Sequence, residues 1–86
     1  MPTYFIFNGM RFFFYSNDHE PIHVHVTKGK GGREAKAKFN AIPGEDVELI
    51  ENYGLSSKDL EKARRQIEEK RDGIIEMWKK HFNEED

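Results

Sequence analysis

Segment 22–27 alternates along its whole length between β-branched apolar residues and residues that carry a polar group, reading Ile-His-Val-His-Val-Thr. Strict alternation over six residues is typical of a β-strand with one buried face. Successive side chains of a strand point to opposite faces, so His23 and His25 are expected to share the face opposite Val24. The chain is therefore predicted to build a sheet that is covered on one side and carries two imidazoles on the other.

Similar patterns on both sides of this segment predict the rest of the sheet. Strands are expected at 3–7, 10–15 and 33–39, with a short fifth one around Val47 and Leu49. Asn8-Gly9 predicts a type I′ hairpin turn, and Pro43-Gly44 predicts a type II turn. Which face of strand 10–15 is buried stays open, because every position from 12 to 15 is aromatic.

The last third of the chain has helical periodicity. Ser56 and Asp59 resemble a capping box, and an apolar stripe follows at helical spacing: Leu60, Ala63, Ile67, Ile74, Ile75, Trp78 and Phe82. We expect one long helix over about 56–82, with a break near Asp72-Gly73 as the alternative. The predicted fold is α+β, with this helix packed on one face of a mostly antiparallel sheet of four to five strands at about 3–51. A single domain would span residues 1–86.

Composition limits the classes of function. The chain has no cysteine, which excludes disulfides and thiolate metal sites, and its net charge of −2 argues against binding nucleic acid by bulk charge alone. The apolar runs are too short to cross a bilayer and there is no signal-peptide pattern, so a cytoplasmic protein without membrane contact is expected. Seven phenylalanines are many for a small core, which favours a homodimer or another protein partner.

Metal binding is the first chemistry that the histidine pair suggests. His23 and His25 would supply two ligands to a divalent metal, with His19 or Asp18 from the preceding turn as the third and water completing the set. His19, His23 and His25 are the predicted metal ligands. The other interpretation is that the pair is solvated and structural, with no cofactor at all.

Acid–base chemistry is the second. His23 and His25 are candidate catalytic residues because imidazole exchanges protons near neutral pH. Lys36 and Lys38 alternate on a neighbouring strand and would contact an anion such as a phosphate. A set of this kind could cleave RNA without metal, and basic residues interleaved with aromatic ones also suit RNA binding.

The same residues carry a family resemblance. The string Asp-His-Glu-Pro-Ile-His-Val-His at 18–25, the aromatic run 12–15, an alternating strand at 35–39 and a C-terminal helix with Trp78 resemble a small bacterial family known as domain of unknown function 4160. The resemblance implies an uncharacterised bacterial cytoplasmic protein. It also implies a genomic pairing with a second small protein, which suggests one component of a toxin–antitoxin-like pair.

Together these patterns predict a small bacterial binding or regulatory module. Its functional surface would be centred on the histidine strand and formed by Asp18, His19, His23, His25, Lys36 and Lys38. The alternative is a small enzyme, either a metal-independent ribonuclease or a hydrolase with a histidine-bound divalent metal.

Overall fold

Five antiparallel strands form one sheet in chain order, and two helices follow. The computed structural model describes residues 3–83, with only the backbone at position 83, so the two N-terminal and three C-terminal residues of the predicted domain lie outside it. The elements are β1 (Thr3–Phe7), β2 (Met10–Phe13), β3 (His23–Lys28), β4 (Ala35–Asn40), β5 (Glu48–Tyr53), α1 (Ser57–Glu69) and α2 (Arg71–Asn83). The neighbours in the sheet are also neighbours in sequence, in the order β1-β2-β3-β4-β5. The predicted α+β class and antiparallel sheet are confirmed.

Both predicted turns are present. Asn8 and Gly9 have φ values of 54° and 75°, the two positive angles that a type I′ turn requires, and they join β1 to β2. At the second turn, the amide of Glu45 donates to the carbonyl of Ile42 at 3.1 Å, and Gly44 has a φ of 83°. A positive φ at the third position of a four-residue turn is the type II arrangement, for which Pro43 fixes the second position.

The structure decides which residues of β2 and of the position after it enter the core. Met10, Phe12 and Phe14 are fully buried beneath the helices, whereas Arg11 and Phe13 belong to the other face of the sheet. The remaining core is drawn from β3, β4, both helices and the segments that flank the strands: Ile22, Val24, Val26, Ala37, Phe39, Ala41, Val47, Leu55, Ala63, Ile67, Ile74 and Trp78. This packing places the side chain of His25 on the sheet face that no helix covers within residues 3–83.

The prediction of one long helix is wrong. α1 ends at Glu69, Lys70 leaves helical geometry with φ −107° and ψ 17°, and α2 begins at Arg71. The break lies three residues before Gly73, so the predicted alternative was close. A straight helix of the predicted length would be about 40 Å long, about twice the length of a six-residue strand. The interruption lets each helix bury its own apolar residues against the sheet.

None of the helices in the described part of the chain is long and apolar enough to span a bilayer.

Candidate metal centre

Three side chains converge where the loop after β2 meets the start of β3. Asp18 lies in that loop, and His23 and His25 are the first and third residues of β3. The Oδ2 atom of Asp18 is 3.1 Å from Nε2 of His23 and 3.2 Å from Nε2 of His25. One ligand atom from each residue lies within 4.8 Å of the other two. We call these three residues the Asp-His-His cluster.

The loop holds the carboxylate of Asp18 in place through a reciprocal pair of hydrogen bonds. The amide of Asp18 donates to the carbonyl of Tyr15 at 3.0 Å, and the amide of Tyr15 donates to Oδ2 of Asp18 at 2.8 Å. Aspartate often stabilises turns in this way. Because the same oxygen faces both imidazoles, the turn contact and the position of Asp18 in the cluster are compatible.

His23 is the most enclosed member of the cluster, with only 6% of its surface exposed. Its Nδ1 atom lies 2.8 Å from the carbonyl oxygen of Pro21, which can only accept, so Nδ1 carries the proton of a neutral ring. The lone pair of that ring is then on Nε2, which is buried and has no hydrogen-bond partner. Nε2 is close to the carboxylate of Asp18, but it is not aligned to form a hydrogen bond with it.

His25 is more accessible and is packed between aromatic rings. Its ring stacks on Phe13 at 5.5 Å between centroids and meets the edge of Tyr15 at 4.8 Å. Burial lowers the pKa of His25 below its ordinary value, and the nearby His23 and Lys38 act in the same direction, while the carboxylate of Asp18 opposes them. The lowered pKa favours the neutral imidazole, which is the form that binds metals.

The inner wall of the site comes from α2 and β1. The ring of Trp78 lies 5.2 Å from that of His23, and its indole N–H donates to the carboxylate of Glu20 at 3.4 Å. The hydroxyl of Tyr4 donates to the carbonyl of His23 at 3.4 Å. Burial, with the charge of Asp18 as a smaller cause, raises the pKa of Tyr4 well above its usual value and keeps its hydroxyl protonated. These contacts connect the histidine strand to the core.

Asp18 is close enough to both imidazoles to share a cation with them, and the three ligand atoms together lie within 4.8 Å of one another. Nitrogen and oxygen ligands lie about 2.0–2.2 Å from zinc, so tetrahedral geometry separates ligand atoms by roughly 3.3–3.6 Å. The two distances from the carboxylate, 3.1 and 3.2 Å, are slightly shorter than this range. The contact between Nδ1 of His23 and the Pro21 carbonyl is the kind of outer hydrogen bond that orients metal-binding imidazoles. Three protein ligands leave a fourth position for water or another ligand.

The predicted site residues fall into two groups. Asp18, His23 and His25 come together, and the two imidazole rings meet edge to face with centroids 5.0 Å apart, on the shared side that the strand pattern indicated. His19 is exposed and is not part of the cluster. Lys38 lies opposite His25 on β4 and is partly buried.

Lys36 is exposed and lies two pairs further along the strands, opposite Thr27. The expected solvated surface is only partly present, because His23 is buried against Trp78. Sequence reasoning gave no site role to Glu20, to Phe13 or to the carbonyl of Pro21. A contact made by a backbone oxygen leaves no residue-type signal that could have revealed it.

Comparison with known proteins identifies the family but not an activity. A family model described as Domain of unknown function (DUF4160) matches residues 9–79, which include the whole Asp-His-His cluster, β2 to β5, α1 and most of α2. Neither the curated proteins nor the solved structures gave a significant match to this chain. The match spans most of the sequence, and the chain therefore belongs to the family of domain of unknown function 4160.

Proposed function

We propose that this protein is a divalent-metal-binding module whose ligands are Asp18, His23 and His25, with zinc as the best-suited ion. The observation that carries the proposal is the buried Nε2 atom of His23, which has no hydrogen-bond partner and lies 3.1 Å from a carboxylate oxygen. Leaving a buried polar atom unpaired costs about 1–3 kcal/mol, so a group of this kind needs a partner or a function.

Electrostatics indicates what the partner should be. The Nδ1 atom of His23 is committed to the Pro21 carbonyl, so in the neutral ring Nε2 and the Asp18 oxygen are two electron-rich atoms 3.1 Å apart with no proton between them. A cation between them turns this repulsion into attraction. A proton on Nε2 would also remove the repulsion, but a strong hydrogen bond requires the N–H to point almost straight at the oxygen. Nε2 of His23 is not aligned in that way. A metal ion beside the line would satisfy both atoms, and it would replace the hydrogen bond between Nε2 of His25 and the same oxygen.

The wider role that we propose is a small binding or regulatory module, acting with a protein partner as one component of a toxin–antitoxin-like pair. The enzymatic alternative is a hydrolase, since three protein ligands and an open fourth position are typical of catalytic zinc. A metal-independent ribonuclease suits the geometry less well. Its acid and base would have to reach a phosphodiester from two sides, whereas both Nε2 atoms here face one carboxylate oxygen and His23 is buried.

The direct test is calorimetric titration of the untagged protein with zinc chloride after dialysis against a chelator. Wild type should bind one equivalent, and Asp18→Asn, His23→Ala and His25→Ala should each weaken binding by about tenfold or more. The matched control is His81→Ala, which removes an exposed histidine of α2 that is not in the cluster.

Two outcomes would contradict the proposal: no zinc uptake by folded wild type, or uptake that the three cluster variants leave unchanged. A His19→Ala variant in the same series decides whether the exposed histidine also contributes, and we expect wild-type affinity.

For the enzymatic alternative, single-stranded RNA and a phosphodiester substrate are incubated with wild type and His25→Ala, each with zinc and with chelator. Hydrolysis that needs both zinc and His25 would identify a hydrolase.

A further inference from the structure

The outer side of β1 is an apolar edge of the sheet that the described chain leaves partly uncovered. β1 is an edge strand of the sheet, and no strand within residues 3–83 pairs with its outer side. Two grooves run beside it on the helix side. One has a volume of about 860 Å³ and lies between β1 and α2, and the other, of about 480 Å³, lies between the end of β1 and α1. The helices therefore leave this margin of the sheet partly uncovered.

The side chains of this margin are largely apolar. Tyr4 and Phe5 line the larger groove together with Ile74 and Met77, and 40% of the surface of Met77 is exposed. On the opposite face of the same strand, the exposed fraction of Ile6 is 71%, slightly above the 67% of Tyr53 on β5. An exposed apolar strip that continues from one face of an edge strand to the other is typical of an interaction site.

Charge distinguishes the two edges of the sheet. The β1 sequence, Thr-Tyr-Phe-Ile-Phe, contains no charged residue, whereas β5 carries Glu48 and Glu51 among its six exposed residues. Charged side chains on an edge strand are a common device against pairing with another chain. β5 has these charges and β1 lacks them, although Leu49, Ile50 and Tyr53 of β5 are also exposed. The pairing of β1 with β2 is irregular between Thr3 and Phe5, so the regular part of the β1 edge is Phe5–Phe7.

We propose that two copies of this chain pair through β1, antiparallel and about a two-fold axis, to form one continuous ten-stranded sheet. An antiparallel pair of identical strands is self-complementary, and the two-fold contact closes after two copies. Because β1 is uncharged, this pairing brings no like charges together across the new strand contact. The backbone groups on the outer side of β1 gain hydrogen-bond partners, and Ile6 gains apolar cover.

The rim of the larger groove supplies the charge complementarity that favours a second copy. It carries Glu76 and Lys80 on one side of α2, and neither residue has an ion-pair partner within residues 3–83. A two-fold axis brings the α2 helices of the two copies to the same side of the joined sheet. The proposed pairing sets Glu76 of each copy toward Lys80 of the other, a contact that the charge exchange below tests directly.

The test is the molar mass of the full chain, measured by sedimentation velocity over a wide range of concentrations, in zinc and in chelator. Wild type should reach twice the chain mass of 10.2 kDa in both buffers. Ile6→Lys should raise the dissociation constant by about tenfold or more. The matched control is Tyr53→Lys, at a position of β5 that is 67% exposed, and it should leave the dimer intact. Circular dichroism confirms that each variant is folded.

A charge exchange tests the two-fold arrangement. Glu76→Lys and Lys80→Glu should each weaken the dimer by roughly threefold to tenfold, and the double variant should restore it. A chain that stays monomeric at all concentrations overturns the proposal. So does a dimer that Tyr53→Lys disrupts and Ile6→Lys does not, a polymer that grows without limit, or a double exchange that restores nothing. The chelator arm separates this result from failure of the metal site.

Discussion

Oδ2 of Asp18 lies 3.1 Å from Nε2 of His23, and no hydrogen bond joins the two atoms. The same oxygen accepts the amide N–H of Tyr15 and contacts Nε2 of His25. One carboxylate oxygen thus connects the loop to both histidines of β3, in an arrangement that a shared cation would stabilise.

Zinc should stabilise the folded chain, because the folded state gathers ligands that the unfolded chain holds apart. At a free zinc concentration one hundred times the dissociation constant, the free energy of unfolding should rise by about 2.7 kcal/mol. For a domain of this size that corresponds to an increase of roughly 10–20 °C in Tm. Thermal unfolding monitored by circular dichroism, with and without zinc, provides the measurement. Chelator should reverse the shift, and an equal shift in Asp18→Asn would place the bound ion elsewhere.

Alanine at two glycines should have effects of opposite sign. Gly73 lies inside α2, and an added Cβ meets nothing within 4 Å, so Gly73→Ala should stabilise the fold by about 0.5–1 kcal/mol. Gly54 has a φ of +104°, and its Cβ would lie 3.3 Å from that of Ala35, so Gly54→Ala should cost roughly 1–3 kcal/mol. Urea denaturation of both variants gives the comparison. Equal effects would show that backbone conformation does not distinguish these positions.

The first turn of α1 depends on one hydroxyl. Oγ of Ser56 accepts the backbone N–H of Asp59 at 3.1 Å, so Ser56→Ala should lower the free energy of unfolding by about 1 kcal/mol. Ser57→Ala is the control, since it changes the first helical residue without removing the cap, and its effect should stay within about 0.5 kcal/mol. Chemical denaturation measures both. A larger loss from Ser57→Ala would identify the wrong serine as the cap.

The ion pair between Lys28 and Asp59 should make stability depend on acid pH. The hydrogen bond from Lys28, at 2.8 Å, is the main cause that lowers the pKa of Asp59 below its ordinary 3.8. A carboxyl group with a lowered folded-state pKa stabilises the fold above the unfolded-state value, and this contribution disappears as the pH falls through the folded-state pKa. Wild type should therefore be more stable than Asp59→Asn at pH 7, with a difference that shrinks below pH 3.8.

Denaturation at a series of pH values measures that difference. Lys28→Gln should reproduce the pH dependence of Asp59→Asn, and the double variant should add little to either single change. If the stability difference persists unchanged in strong acid, the ionised carboxylate of Asp59 is not its cause.

Local patterns in the sequence predicted most of the elements. The alternation of 22–27 indicated a strand with both histidines on one side. Asn8-Gly9 indicated the turn between β1 and β2, because a type I′ turn needs a positive φ at both positions. Ser56 was identified as a cap from the residue that follows three positions later. Each of these depends on steric or hydrogen-bonding preferences within a few residues, and such preferences can be read along the chain.

The tertiary structure decided what depends on distant partners. Aromatic residues at every position from 12 to 15 left the buried face of β2 open, and it was settled only by packing Phe12 and Phe14 beneath the helices. The sequence offered a break near Asp72-Gly73 only as the alternative to one long helix, and the tertiary structure places the break at Lys70.

The same holds for the metal centre. The sequence placed His23 and His25 side by side and offered either His19 or Asp18 as a neighbour. The course of the loop brought Asp18 to both rings, because its carboxylate is held by the Tyr15 amide. The burial of His23 depended on Trp78, which is distant in sequence and reaches the site only once α2 packs on the sheet. Residue types and their spacing therefore determined the candidate ligands, and long-range packing determined which of them share a site.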